Sequence, residues 1–185
     1  MIKGVMNDTR KKMEEVLESI EGNFAKIRTG RARPSLVEDI KAEYYGQVTP
    51  LNQMAQISVP EARQLVINPY DNNALEDIEK AILKSDLDLT PNTDGDLIRI
   101  NIPELTEERR KKLAKLADEK AEEGRIAIRE VRREANNELE DLESSGEISE
   151  DNYHRGLDNV QQITDEYINK VDTLLDKKKS AIMSV

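Results

Sequence analysis

The sequence predicts an α+β protein: an elongated three-helix bundle with a small β/α/β domain inserted after its first helix. Three observations predict this. Apolar residues recur three or four apart through residues 5–28, 105–143 and again after Ser149, which is the α-helical period. All six prolines (Pro34, Pro50, Pro60, Pro69, Pro91 and Pro103) fall inside residues 31–104. Within that stretch the long helical period gives way to short alternating runs, the period of strands. The expected division is therefore a bundle made of residues 1–30 and 105–185, with residues 31–104 as the insert. The insert hangs from two tethers, Gly30, Ala32 and Arg33 on one side and Pro103, Glu104 and Leu105 on the other. Two neighbouring tethers favour hinge motion about one axis.

In the first helix, Met6, Met13, Val16 or Leu17, Ile20, Phe24 and Ile27 form the seam, with Lys11, Lys12, Glu14, Glu15 and Glu18 on the wet side. Gly30 suits a left-handed C-terminal cap, and Pro34 bars the helix from resuming. Arg28 then sits in the last turn, where its charge complements the helix dipole. Arg28, Arg31 and Arg33 also crowd around Gly30, which makes a small phosphate-binding spot the competing reading.

In the insert, residues 36–45 read as a strand with Ile40, Ala42 and Tyr44 on one face, and Gly46 begins a turn. Residues 55–59 and 64–68 read as two more strands. Residues 74–85 form a short amphipathic helix with Leu75, Ile78, Ala81 and Ile82 inward. Residues 90–95 carry turn chemistry, and residues 97–102 alternate with Ile98, Ile100 and Ile102 on one face.

Thr106 reads as the N-cap of the second long helix, with Glu107 and Glu108 in its first turn. Its seam is Leu113, Ala117, Ala121, Gly124, Ile128, Val131, Ala135, Leu139 and Leu142. About 40 residues make a rod of roughly 60 Å. Arg125, Arg129 and Arg132 each follow a seam position by one residue and so form a stripe about 100° round the helix, which Arg133 thickens. A solvated face partly neutralised by Glu122, Glu130 and Glu134 is the bland reading. An RNA-backbone contact is the functional one, because the planar guanidinium fork suits phosphate. After a break at residues 144–147, Ser149 caps the third helix. Its seam is Tyr153, Leu157, Val160, Thr164, Tyr167, Val171 and Leu174, and Lys177, Lys178 and Lys179 close it as capping charge.

Composition narrows the function. The chain has 37% hydrophobic and 36% charged residues and only six aromatics, a balance that suits exposed helices with aliphatic seams. The net charge of −10 opposes non-specific affinity for nucleic acid, so RNA binding must come from a local patch. The insert carries seven basic and thirteen acidic residues, which leaves the bundle as the RNA-facing part. Absent cysteine removes thiolate chemistry and fits a reducing compartment. His154 is the only histidine, so a His-rich metal site is excluded. Asp94-Gly95-Asp96 fails the EF-hand pattern, because Thr90 and Asn101 would stand at its first and last ligand positions. No phosphate-binding loop or nucleophile–base pattern occurs, and no run approaches membrane-spanning length. The expectation is a cytoplasmic protein that is not an enzyme and uses no cofactor or metal.

Several runs together resemble the bacterial ribosome recycling factor family: residues 26–34 (KIRTGRARP), Tyr44-Tyr45-Gly46, Thr49-Pro50-Leu51, residues 79–82 (EKAI), Ser85-Asp86-Leu87, residues 105–110 (LTEERR) and residues 131–136 (VRREAN). The likeness runs the whole chain in order. It implies an L-shaped pair of domains and a translation factor without catalytic activity of its own. Such a factor binds the large ribosomal subunit after termination and, with elongation factor G and its GTP hydrolysis, splits the ribosome into subunits. The resemblance makes Arg132 the leading rRNA contact and places Arg129, Arg133, Arg28 and Arg31 on the same basic surface; Arg125 is added from the stripe. It also marks three departures: Glu130 where Asn is common, Asp88 where Gly is common, and Arg33 where a small polar residue is common. A monomer is expected. The alternative is a coiled-coil adaptor or chaperone-like interaction protein without RNA binding, whose apolar seams would take a partner helix.

Overall fold

The computed structural model describes residues 1–184, which form two compact units. One comprises Met1–Thr29 and the described residues from Thr106 onward; the other is Gly30–Leu105.

The first unit is a bundle of three long helices: α1 (Ile2–Ala25), α4 (Glu107–Ser144) and α5 (Glu150–Met183), each packed against the other two. Thr106 Oγ1 accepts the Arg109 amide at 3.2 Å and Ser149 Oγ accepts the Asn152 amide at 3.3 Å, so both sequence-read N-caps form. Val5, Thr9, Met13, Leu17, Ile20 and Phe24 make the buried stripe of α1. On α4 the stripe is Leu113, Ala117, Ala121, Gly124, Ile128, Ala135 and Leu139, all of them expected seam positions. The seams thus face one another inside the bundle, which removes the surface an adaptor would offer to a partner helix. Glycine sets the helix approach at two heights: a Cβ on Gly124 would lie 2.1 Å from Ile20 Cδ1, and one on Gly156 would lie 2.9 Å from Leu139 Cδ1. The buried hydroxyls of Thr9 and Thr164 donate to the carbonyls of Val5 and Val160, each at 2.7 Å.

Three expectations for the bundle need correction. Helix α1 ends at Ala25 with Lys26 as its C-cap, so Arg28 is not in its last turn and Gly30 is not its cap. Gly30 does adopt φ +75°, but it does so where the chain passes Leu105, whose Cγ would lie 3.4 Å from an added Cβ. Helix α5 runs on to Met183, so the three lysines lie inside it and do not cap it. Lys178 is buried instead, and Lys179 reaches Asp118 on α4 at 3.0 Å. The seam of α5 ends on Leu175 and Ile182 rather than Leu174.

Tyr167 joins α5 to α1: its hydroxyl donates to Glu14 Oε2 at 2.7 Å from a ring that is only 4% exposed. Burial first, then the Glu14 carboxylate, push the phenol up to about 12. Because the folded value lies above the unfolded one of about 10, the folded state favours the protonated phenol. The stabilisation is full below that unfolded value and is lost as pH rises through the folded one. Tyr167→Phe is expected to cost about 1 kcal/mol at neutral pH and to remove this part of the alkaline dependence. Urea unfolding at neutral pH and at rising alkaline pH measures both.

The second unit has six strands rather than the expected four. β1 (Lys41–Tyr44) and β2 (Gln47–Pro50) form an antiparallel hairpin. The four-stranded antiparallel sheet has the order β3-β4-β6-β5, built from β3 (Ala55–Glu61), β4 (Gln64–Pro69), β5 (Pro91–Asp94) and β6 (Leu97–Asn101). β2, apart from Val48, and β5 consist of polar and turn-type residues without an alternating pattern, and their pairing makes them strands. β5 is an edge strand that begins on Pro91, where a missing N–H is tolerated. The first strand is also shorter than expected, because Pro34–Leu36 forms a 3₁₀ turn before it. A short α2 (Leu51–Met54) was likewise not read from the sequence. α3 (Leu75–Lys84) packs Ile78 and Ile82 onto Leu65, Ile67, Ile98 and Ile100, as the alternation predicted.

Two turns carry strain. Tyr45 and Gly46, both at positive φ, close the β1–β2 hairpin, an arrangement that normally takes Asn-Gly. Tyr45 holds φ +48° while its ring meets Tyr44 edge-on at 4.5 Å and both hydroxyls donate to Asp71. Asp88 stands at φ +49°, a left-handed conformation that glycine adopts freely and that Asp tolerates better than most residues.

Candidate nucleic-acid interface

The four arginines of the α4 stripe, Arg125, Arg129, Arg132 and Arg133, share a side of the helix but not a fate. Arg125 is the most enclosed: Nη2 lies 2.6 Å from Asp172 on α5 and Nη1 lies 3.0 Å from Glu122, with 20% of the side chain exposed. Asp172 first, then Glu122, raise its pKa further against the opposing effect of burial. Arg129 reaches the other oxygen of Glu122 at 3.2 Å. The two guanidiniums, Arg125 ahead of Arg129, hold the Glu122 carboxyl below its usual range. Arg133 pairs with Glu130 at 3.0 Å. Exposed pairs of this kind contribute about 0.2–1 kcal/mol, so a phosphate can displace them at small cost. Arg125 is the exception, as a cross-helix strut with two carboxylates.

Arg132 differs from all three. Its Nη1 donates to the amide oxygen of Gln161 on α5 at 3.3 Å. Among the described residues no carboxylate lies within ion-pair distance of it. Its positive charge is therefore not tied up in an ion pair, in a chain of net charge −10. Gln161, Asp165 and Asp172 escaped sequence reading because they lie on another helix. The one local signal was the Gln161–Asp165 spacing of four, a pair that supports helices.

The remaining predicted positions lie outside the three bundle helices. Ile20 packs at Gly124, and Val5 clusters with Ala135 and Leu139, so α1 runs antiparallel to α4. Arg28, beyond the end of α1, is thereby carried toward the start of α4 and away from Arg132. Arg31 and Arg33 are exposed residues of the second unit. There, Ala32 is buried and its amide donates to the Ala62 carbonyl at 2.8 Å. Glu104 pairs with Arg63, and the Ile102 amide donates to the Arg63 carbonyl at 2.7 Å. Both tethers are thus fastened to the β3–β4 turn up to Gly30 and Leu105, which touch. Among the described residues no cluster of three or more His, Cys, Asp or Glu side chains is placed to hold a metal ion. None of the described helices is long and apolar enough to cross a membrane.

The fold defines a class: a three-helix bundle interrupted after its first helix by a small antiparallel-sheet unit, with an arginine stripe on the middle helix. The family model for "Ribosome recycling factor" matches residues 20–183, and the chain belongs to this family. It is 60% identical to the ribosome-recycling factor of Halothermothrix orenii and 51% identical to that of Bacillus subtilis, with each chain covered completely. A solution structure of the ribosome recycling factor matches with TM-score 0.79 at 43% identity, over all of this chain and 98% of the other. A model of the T. thermophilus factor, bound with the E. coli elongation factor G to the E. coli post-termination complex, matches with TM-score 0.66 at 48% identity over both full chains.

Proposed function

We propose that this chain binds the post-termination ribosome in the cytoplasm as a monomer and, together with elongation factor G, separates it into subunits. The bundle is the grip. Arg132 leads the contact with large-subunit rRNA, Arg129 and Arg133 join by exchanging their carboxylates for phosphates, and Arg125 braces the stripe. Arg28 and Arg31 supply outlying contacts. The small unit is the lever, moved by the partner GTPase. Gly30 and Leu105 form the joint, while Ala32, Arg33, Pro103 and Glu104 move with the lever. The factor does no covalent chemistry in this scheme; the free energy comes from GTP hydrolysis by its partner.

The observation that carries this reading is the charge of Arg132, which is not tied up in an ion pair. A guanidinium with no carboxylate partner gains most from meeting a phosphate. The solved assembly of a relative with elongation factor G on the post-termination complex supports the choice of partners. Arg132→Ala is expected to weaken co-sedimentation with isolated large subunits about tenfold or more at moderate salt. Its helical circular dichroism and melting temperature should match the parent. The log–log salt slope should fall by about one from a parental value of roughly −3 to −4. Equal binding by variant and parent would refute the assignment.

A further inference from the structure

Gln161 is more than a neighbour of Arg132. Its amide nitrogen Nε2 donates to Asp165 Oδ1 at 2.8 Å, one turn along α5, while its Oε1 accepts from Arg132 at 3.3 Å. The two contacts settle the orientation of the amide. The Asp165 carboxylate accepts and the Arg132 guanidinium donates; flipping the amide would set donor against donor and acceptor against acceptor. Asp165 thus holds Gln161, and Gln161 steers Arg132.

The relay separates orientation from neutralisation. Glu122 and Glu130 orient their arginines by supplying charge, which a phosphate must then displace. Gln161 orients Arg132 with a neutral oxygen, and the carboxylate that holds Gln161, on Asp165, stays one residue further along the relay. At 3.3 Å the Arg132 contact is long for an N–H···O bond, so it steers the fork without holding it tightly. A single Nη1 donor is used, which leaves four of the five guanidinium N–H groups for an incoming oxyanion.

We propose that Gln161, oriented by Asp165, is a positioning residue that presents Arg132 to a phosphate of the RNA backbone with its charge intact. This rests on the reading of Arg132 given above. A restricted guanidinium loses less conformational freedom on binding, and an unpaired one gives up no ion pair.

The test uses the full chain and large ribosomal subunits, titrated across a range of salt. Gln161 is exposed, so its variants should keep the parental melting temperature. Gln161→Glu puts a carboxylate against Arg132 and is expected to lower affinity about tenfold and make the salt slope shallower by about one. In the Arg132→Ala background the same change should have little further effect, because it acts through the guanidinium. If Arg132→Ala alone binds like the parent, the underlying reading fails. If Arg132→Ala weakens binding but Gln161→Glu does not, or costs equally in both backgrounds, the positioning role is overturned.

Discussion

Leu139→Ala is expected to destabilise the bundle by about 2–5 kcal/mol, the range for emptying a site that cannot collapse. Leu139 is fully buried and packs with Val5 of α1, Ala135 of its own helix and Val160 of α5. Opposite it on α5 stands Gly156, where an added Cβ would lie 2.9 and 3.0 Å from the two Leu139 methyl carbons. A glycine has no side chain to lean into the void, so removing the leucine leaves a cavity bounded by backbone. Urea unfolding followed by circular dichroism at the helical band measures the loss. The second unit has its own core, and its unfolding should be unchanged. A second substitution sharpens the test. Gly156→Ala alone should clash with Leu139, but in Leu139→Ala its methyl fills vacated space and helix propensity adds about 1 kcal/mol. The double variant is therefore expected to be more stable than Leu139→Ala, by about 1 kcal/mol or more. A single-variant loss below about 1 kcal/mol would mean that the helices close the gap.

How much of this was legible in the sequence follows from what each feature depends on. The seam of α4 is readable because burial there is set by helical period alone, and every buried position of α4 is one that the spacing names. On α1 the spacing finds Met13, Leu17, Ile20 and Phe24, but at its start Val5 and Thr9 are buried where Met6 is expected. The end of α5 was misread because three consecutive lysines look like a stop. Yet Lys178 continues the buried face of the helix, which a lysine can do along its methylene stem. β2 and β5 were illegible because Gln47–Pro50 and Pro91–Asp94 have no strand pattern of their own; a partner strand imposes it. The arginine stripe was visible as geometry, but the partner of each guanidinium was not. Asp172 lies 47 residues from Arg125 and Gln161 lies 29 from Arg132, so only the packing of α4 against α5 could separate a braced arginine from an unpaired one.

Replacing Gly30–Leu105 with a short flexible link should separate grip from lever and abolish subunit splitting. The chain enters and leaves this unit side by side, since an added Cβ on Gly30 would lie 4.0 Å from the Leu105 amide nitrogen. About four Gly and Ser residues, with a reach near 11 Å, therefore close the gap, and the entropy of so small a loop is minor. The bundle keeps every residue of its buried seams, because α1, α4 and α5 lie wholly outside the excised segment. It also keeps Arg132, Arg129, Arg133, Arg125 and Arg28, and loses only Arg31 from the proposed contact set. Residues 31–104 carry six more negative than positive charges, so their removal reduces repulsion from RNA while costing one phosphate contact. Binding to large subunits should stay within about threefold of the parent, with a salt slope shallower by about one. Splitting of post-termination ribosomes by elongation factor G and GTP should fall to the level without factor, because the bound bundle has nothing for the GTPase to move. Splitting that survives the excision would remove the lever from the scheme. Binding that is lost, with the helices intact, would place the grip in the small unit, where net charge argues against it.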